Sequence, residues 1–166
     1  ARAPMTLGIP LSVNEDLRRY HRQMLLPGIG EAGQLRLRSS RALLIGCGAL
    51  GCVIADSLVR AGIGHLTIVD RDVVEVTNLQ RQVLFSESDA AEGLPKAEAA
   101  LKRLMAVNSL VRIDAVVADF AAGNAERILR AGGPFPAVLL DGTDNFETRY
   151  LINDLAVKHG IPYVYG

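Results

Sequence analysis

Short apolar runs alternate with segments of helical periodicity from residue 41 to the end of the chain. The apolar runs predict strands over residues 41–45, 65–69, 112–117, 137–141 and 161–165. The periodic segments predict helices over residues 52–62, 95–108, 123–131 and 147–159. Because alternating strands and helices form parallel sheets covered on both faces, we predict a Rossmann-like, doubly wound α/β fold with strand order 3-2-1-4-5.

Two stretches depart from this alternation. Residues 71–85 are too polar for a core element but carry apolar anchors, and we expect an ordered excursion past the strand ends. Residues 86–93 are small and acidic, and we expect them to be mobile. In the helix that follows, the inward positions are predicted to be Ala97, Leu101, Leu104 and Met105.

A G-x-G-x-x-G motif links the first predicted strand to its helix, through Gly46, Gly48 and Gly51, with Ala49 inside the turn. The first glycine permits a tight turn, the second lets backbone approach a phosphate, and the third lets helix and strand pack closely. Asp70 ends the second predicted strand, where an acid can hydrogen-bond a ribose hydroxyl. The context of strand, glycines, helix and acid predicts a nucleotide site.

The residues before the first strand predict an N-terminal helical extension. Ser12 and Glu15 have the spacing of a capping box, so a helix is expected from there to about residue 25. A second short helix is predicted over residues 31–38. We therefore expect two parts: an extension with its helices over residues 1–40, and a nucleotide-binding, Rossmann-like domain over residues 41–166.

Composition narrows the possible partners and compartment. The chain has 166 residues and 18 basic against 18 acidic side chains, so its zero net charge gives no long-range attraction to nucleic acid or membrane. No apolar run reaches the length of a membrane span and no signal-peptide pattern precedes the first helix. Cys47 and Cys52 are interpreted as small packing residues in a reducing compartment, and we expect a cytoplasmic protein.

A set of polar residues follows the predicted strand ends. Arg81 and Lys96 are two cations near a glycine-rich turn, which suits a triphosphate better than a diphosphate bridge. Asp144 is placed either to hold Mg²⁺ between phosphates or to cap the last helix, and the two roles can coexist. Asp72 either contacts the ligand or only stabilises the conformation of its loop. The full set is Asp70, Asp72, Asn78, Arg81, Gln82, Lys96, Asp144 and Asn145.

These motifs in this order resemble the ThiF/MoeB/HesA superfamily, the bacterial relatives of ubiquitin-activating enzymes. The matching segments are residues 19–23, 46–52, 70–72, 78–82, 95–96 and 141–145, so the resemblance extends from about residue 17 to the end. It implies an adenylyltransferase that binds ATP and Mg²⁺ at the glycine turn. The C-terminal carboxylate of a small ubiquitin-like sulfur carrier, usually ending in Gly-Gly, attacks the α-phosphate, and pyrophosphate leaves.

The same resemblance implies roles for individual residues. Asp70 holds the ribose, Asn78, Arg81 and Lys96 hold the phosphates, and Asp144 takes Mg²⁺. Arg22 is implied to reach across a homodimer into the partner's ATP site, and its alternative is a solvated charge on a surface helix. Catalysis is therefore assigned to Arg22, Arg81, Lys96 and Asp144.

The chain also departs from the family pattern. Members continue past the fifth strand into a part that carries a transfer cysteine and paired CxxC zinc ligands, so we expect a truncated chain without thiol transfer. Two other functions stay open. The glycine turn and Asp70 also fit an NAD-dependent oxidoreductase, although Arg81, Lys96 and Asp144 argue against it. The third possibility is a non-catalytic nucleotide-binding or dimerisation module.

Overall fold

A parallel five-stranded sheet forms the centre of the structure, a computed structural model that describes residues 15–166. The strands are β1 (Arg41–Ile45), β2 (His65–Val69), β3 (Arg112–Val116), β4 (Val138–Asp141) and β5 (Tyr163–Tyr165). Their order is β3-β2-β1-β4-β5, and Ile45 at the end of β1 pairs with Val69 and Asp141. The predicted fold class and strand order are confirmed.

Helices cover both faces of the sheet. They are α1 (His21–Met24), α2 (Gly30–Ser39), α3 (Ala49–Ala61), α4 (Glu87–Ala91), α5 (Lys96–Val107), α6 (Ala125–Arg130) and α7 (Phe146–His159). In β1, Ala42 and Leu44 pack on the core that includes α3 and α5, whereas Leu43 and Ile45 pack on the core that includes α6 and α7. Alternate side chains of this fully buried strand therefore pack into the helical layers on the two opposite faces of the sheet.

The N-terminal segment differs from its prediction. Ser12, the predicted cap residue, lies outside the described residues. Glu15–Tyr20 forms a 3₁₀ helix, and only the four residues of α1 continue it as an α-helix. The segment packs on the main domain because the buried Tyr20 hydroxyl accepts a hydrogen bond of 2.8 Å from Asn108, which also donates to the carbonyl of Val59.

Residues 86–93, expected to be mobile, instead contain the capped helix α4. The Ser86 hydroxyl accepts a bond from the backbone N–H of Asp89, and the buried Asp89 carboxylate accepts one of 2.8 Å from the backbone N–H of Ser86. This is a capping box with an aspartate in the third position instead of the usual glutamate. In α5, Ala97 and Leu104 are buried as predicted, but Met105 is 48% exposed because it lies one residue beyond the buried stripe.

The excursion over residues 71–85 is ordered, as predicted. It includes a 3₁₀ turn at Val76–Asn78. The backbone N–H of Val74 donates to Leu94 over 2.8 Å, and that of Lys96 donates to Asp72 over 2.8 Å. These bonds attach the excursion to the first turn of α5, at the same edge of the sheet as the glycine turn. None of the helices in the described residues is both long and apolar enough to cross a membrane.

Gly51 provides a test of the packing between α3 and the glycine turn. A Cβ at Gly51 would overlap the carbonyl oxygen of Gly46, whereas a Cβ at Gly48 would meet nothing within 4 Å. We expect Gly51→Ala to lower the free energy of unfolding by about 3 kcal/mol, in the range of overpacked sites. The matched variant Gly48→Ala should change it by less than about 1 kcal/mol. Urea denaturation measures both, and equal effects would contradict the packing role.

Candidate nucleotide-binding site

A cleft of about 930 Å³ opens at the carboxyl ends of β1, β2 and β4. It lies where the chain order of the strands reverses, between β1 and β4, which is where open α/β sheets bind ligands. Most of the residues predicted from sequence line it together: Gly46, Gly48, Ala49, Asp70, Asp72, Asn78, Arg81, Gln82, Lys96, Asp144 and Asn145. Gly51 and Arg22 do not line it.

The glycine turn presents backbone to the cleft. Gly46 has a φ of +87°, which favours glycine, and a Cβ there would lie 2.7 Å from the carbonyl oxygen of Gly142. Gly48 is the N-cap of α3, and no side chain caps that helix. Its first backbone N–H groups are therefore open to the cleft, as an anion site requires.

Gly51 has the packing role predicted for the third glycine of the motif, and it does not line the cleft with the other residues predicted to bind the cofactor. It is buried below the turn, where a side chain would overlap Gly46, so its role is to let α3 approach the end of β1. This is the part that the third glycine of the motif plays in helix–strand packing.

Cys47 and Cys52 are free, completely buried and mutually adjacent. Cys47 precedes the N-cap Gly48 and Cys52 is the fourth residue of α3, which are the two positions of a hydrophobic staple. A hydrogen bond with Cys52 and burial raise the pKa of the Cys47 thiol well above its usual value. The hydrogen bond with Cys47 lowers the pKa of the Cys52 thiol, so it is the complete burial of both side chains in the core that supports their interpretation as packing residues.

Asp70 closes the glycine turn. One carboxylate oxygen accepts a 2.7 Å bond from the backbone N–H of Cys47, and the other accepts a 2.8 Å bond from that of Asp72. Each oxygen retains a second lone pair. Asp70 can therefore shape the turn and still accept a hydroxyl of a nucleotide.

Lys96 is a buried cation on the wall of the cleft. Its side chain is only 9% exposed, and its ammonium lies 2.9 Å from the carboxylate of Asp72, which is more than half exposed. The Asp72 carbonyl also accepts the backbone N–H of Lys96. Asp72 thus positions Lys96 at the cleft through both its side chain and its backbone carbonyl. The sequence left this role of Asp72 undecided.

The segment over residues 78–82 contributes one exposed cation and two buried amides. The Asn78 side chain accepts a 3.0 Å bond from the backbone N–H of Glu75, which shapes the excursion. Gln82 is buried, and its amide oxygen has no hydrogen-bond partner among the described residues. Arg81 is exposed and lines the cleft, and its one hydrogen bond to a described residue, of 3.1 Å to the carbonyl of Thr77, leaves most of its guanidinium donors available.

The loop after β4 contains the residue that caps the last helix. Asn145 is the N-cap of α7, and its side-chain oxygen accepts bonds from the backbone N–H groups of Glu147 and Thr148. Asp144 is exposed on the cleft, and it makes no hydrogen bond or ion pair with another of the described residues. The alternative role of Asp144 as a cap is therefore wrong, because the residue after it takes that position.

Beneath this loop lies a buried ion pair that sequence reasoning missed. Asp141 is completely buried and accepts bonds from the backbone N–H and hydroxyl of Thr143, from Arg149 Nε at 3.0 Å and from the Tyr163 hydroxyl at 2.7 Å. Burial alone would raise the pKa of this carboxyl, but the hydrogen bonds from Thr143, Tyr163 and Arg149 outweigh it and hold the pKa below its usual value. The Asp-x-Thr spacing of Asp141 and Thr143 is a local sequence signal for their turn. No local pattern indicates that Arg149 pairs with Asp141.

Arg22 lies on the exposed surface of α1, away from the cleft lining. It does not contact the nucleotide site of its own chain. This placement is compatible with the predicted reach into a partner's site and equally with a solvated charge.

The fold is that of a Rossmann-like α/β protein with a cleft at the switch point of its sheet, and comparison with known families identifies the family. The model of the ThiF family matches residues 20–166, and the chain belongs to that family. It is 48% identical over 148 residues to the sulfur carrier protein ThiS adenylyltransferase of Bacillus subtilis, covering 89% of this chain and 43% of that protein. It is 48% identical over 152 residues to the sulfur carrier protein adenylyltransferase of Thermus thermophilus, covering 92% and 54%.

Solved structures share the fold. The E. coli tRNA N6-threonylcarbamoyladenosine dehydratase TcdA in complex with ATP superposes with a TM-score of 0.80 at 25% identity, over 89% of this chain and 58% of that one. E. coli MccB with MccA-N7isoASN gives a TM-score of 0.78 at 28% identity, over 90% and 43%. The chain thus spans about half the length of the curated relatives it matches.

The depressed pKa of Asp141 predicts a pH-dependent contribution to stability. The contribution is fully present above the ordinary carboxyl pKa of about 4 and is lost as pH falls through the lower folded pKa. Asp141→Asn should lower the free energy of unfolding by about 3 kcal/mol at neutral pH, because it leaves Arg149 without its buried partner. It should also flatten the decline in stability below about pH 4.

Asp154→Asn is the control for this prediction, since Asp154 is exposed on α7. It should change stability by less than about 0.5 kcal/mol. Denaturant titrations from pH 3 to pH 7 measure the stability of both variants. If the stability of Asp141→Asn fell below pH 4 as steeply as that of wild type, the pH-dependent contribution would not come from Asp141.

Proposed function

We propose that this chain is the nucleotide-binding and adenylating part of an enzyme that activates a small ubiquitin-like sulfur-carrier protein. The carrier's C-terminal carboxylate attacks the α-phosphate of ATP, an acyl-adenylate forms, and pyrophosphate leaves. One observation carries the proposal: the uncapped N-terminus of α3 lines the same cleft as the cations Lys96 and Arg81. Relatives 48% identical to this chain are named as sulfur carrier protein adenylyltransferases, which supports the same acceptor here.

The proposed roles follow the positions of the side chains. Asp70 accepts a ribose hydroxyl, and Asn78, Arg81 and Lys96 hold the phosphates with the N–H groups of α3. Lys96 and Arg81 are held in place before the reaction, so they neutralise the negative charge that develops on the leaving pyrophosphate. The glycine turn holds the α-phosphate in line with the attacking carboxylate. A carrier that ends in Gly-Gly suits such a site, because glycine lets backbone approach closely.

Mg²⁺ fits the cleft through Asp144. Magnesium in nucleotide sites uses one or two carboxylates together with phosphates and water, and Asp144 is an exposed carboxylate facing the same cleft as Lys96. No group of three or more metal-binding side chains is present among the described residues, so the nucleotide itself would supply the other ligands. When bound, the ion would neutralise phosphate charge. Two free, buried cysteines support a reducing compartment, and we place the protein in the cytoplasm.

Isotope exchange between pyrophosphate and ATP, dependent on the sulfur carrier ThiS, tests this function. Lys96→Met should reduce the exchange rate on the order of 10²-fold, since it removes a preorganised charge. Lys102→Met is the matched control on the same helix, because Lys102 is exposed and away from the cleft, and its rate should match wild type.

Calorimetry of the same samples should show tight binding of Mg-ATP and much weaker binding of NAD. Equal or tighter NAD binding would favour an oxidoreductase instead. Mg-ATP binding without carrier-dependent exchange would favour a non-catalytic module.

We further propose that the active unit is a homodimer in which Arg22 enters the partner's site. Arg22 is exposed and does not line its own cleft, and the adjoining Leu25, Leu26 and Leu35 are about half exposed or more. Exposed apolar side chains beside a cation on one helical hairpin support an interface between copies of the chain. An arginine supplied in trans accelerates phosphoryl transfer by roughly 10³-fold or more where it has been measured.

Mixing two inactive variants tests the composite site. Arg22→Ala and Lys96→Ala should each lose nearly all exchange activity. An equal mixture should recover about a quarter of wild-type activity, because half of randomly formed dimers are mixed and each of those has one intact site of two. The mixing is done at a concentration where wild type is dimeric by analytical ultracentrifugation. An inactive mixture in which mixed dimers form, or a fully active monomer, would rule out the arrangement.

A further inference from the structure

The loop of residues 142–145 connects β4 to α7 and carries Asp144 at the cleft. Its start is fixed by backbone contacts, since the N–H of Gly142 donates 2.8 Å to the carbonyl of Ile45. Its end is fixed by the cap of α7 at Asn145. The orientation of Asp144 therefore depends on what holds the peptide between Thr143 and Asp144.

Arg149 holds that peptide. Its Nη2 donates 3.0 Å to the carbonyl of Thr143, while its Nε donates 3.0 Å to Asp141. Asp141 in turn accepts the N–H of Thr143 at 2.8 Å. Thr143 is thus held at its N–H by the carboxylate and at its C=O by the guanidinium, so the ion pair fixes both of its backbone groups.

The guanidinium is itself immobilised. Its Nη1 donates 3.0 Å to the Tyr165 hydroxyl, and its Cζ lies 4.1 Å from the centroid of the Tyr165 ring. Its side chain is 18% exposed, and Phe146 lies on another side at 5.3 Å. A rigid fork with donors on all three nitrogens can bind these three partners together, which a lysine ammonium on a flexible stem cannot.

We propose that Arg149 is a positioning residue for Asp144: by fixing the Thr143 carbonyl, it directs the Asp144 carboxylate toward a nucleotide-bound Mg²⁺ in the cleft. The inference rests on the proposed function for its ligand, but the geometry of the loop does not depend on it. Arg149 does not itself line the cleft; it contacts the lining only through Thr143, and it is assigned no contact with the nucleotide.

Tyr163 supplies a matched control. Its hydroxyl donates to the same Asp141 carboxylate, but it makes no hydrogen bond to residues 142–145. A role of the ion pair in stability alone therefore predicts similar consequences for Arg149→Lys and Tyr163→Phe. A positioning role predicts that only Arg149→Lys changes the loop and its metal-dependent ligand binding.

The first measurement is hydrogen exchange of the ligand-free protein. In Arg149→Lys, the Thr143 amide, which donates to Asp141, should exchange at least 10-fold faster than in wild type, while the amides of the central strands β1 and β4 change equally in both variants. In Tyr163→Phe, the Thr143 amide should keep the wild-type rate relative to those strands. An unchanged loop in Arg149→Lys, or an equally faster one in Tyr163→Phe, would overturn the positioning role.

The second measurement is calorimetric titration with ATP, with Mg²⁺ and with EDTA in its place. Arg149→Lys should lose about 10-fold in affinity for Mg-ATP and keep the wild-type affinity for metal-free ATP, whereas Tyr163→Phe should keep both. An Arg149→Lys protein whose loop exchanges faster but whose Mg-ATP affinity is unchanged would overturn the link to the metal. A wild type that binds no Mg-ATP would overturn the proposed function, and the exchange result for the loop would still stand.

Discussion

The close backbone contact among Gly46, Gly51 and Gly142 determines where the cleft forms. A Cβ at Gly46 would lie 2.7 Å from the oxygen of Gly142, and one at Gly142 would lie 2.5 Å from the oxygen of Gly46. These distances are possible only between residues without side chains. The contact brings the start of α3 beside the end of β4, so the helix N-terminus and the loop that carries Asp144 face one another across a single cleft.

Two buried or half-buried carboxylates hold the strand ends in this arrangement. Asp70 follows β2 and accepts backbone N–H groups from the glycine turn and the excursion. Asp141 ends β4 and accepts bonds from Thr143, Arg149 and Tyr163. Buried charges are tolerated when every oxygen has such partners. Both acids thus hold the strand ends together, whereas Asp144 and Arg81 stay exposed on the cleft.

The N-terminal segment is attached by a separate set of buried polar contacts. Asn108 at the end of α5 binds Arg19, Tyr20 and the carbonyl of Val59. The wholly buried Gln34 bonds to Gln23 and donates to the carbonyl of Ala61 at the end of α3. Such contacts fix α1 and α2 relative to the sheet, so Arg22 and the exposed leucines project from a defined surface.

The sequence by itself determined the order of elements, the parallel sheet and the set of residues at the cleft. Apolar runs, helical periodicity and the glycine motif are local patterns, and the chirality of parallel connections brings their ends together. Only the tertiary structure decided which members of that set contact the cleft and which build it. Gly51 does not line the cleft, Asn145 and not Asp144 caps α7, and Asp72 is the partner of Lys96. The Asp141–Arg149 pair had no local signal, because it depends on the first turn of α7 folding back over β4 and on β5 pairing beside it.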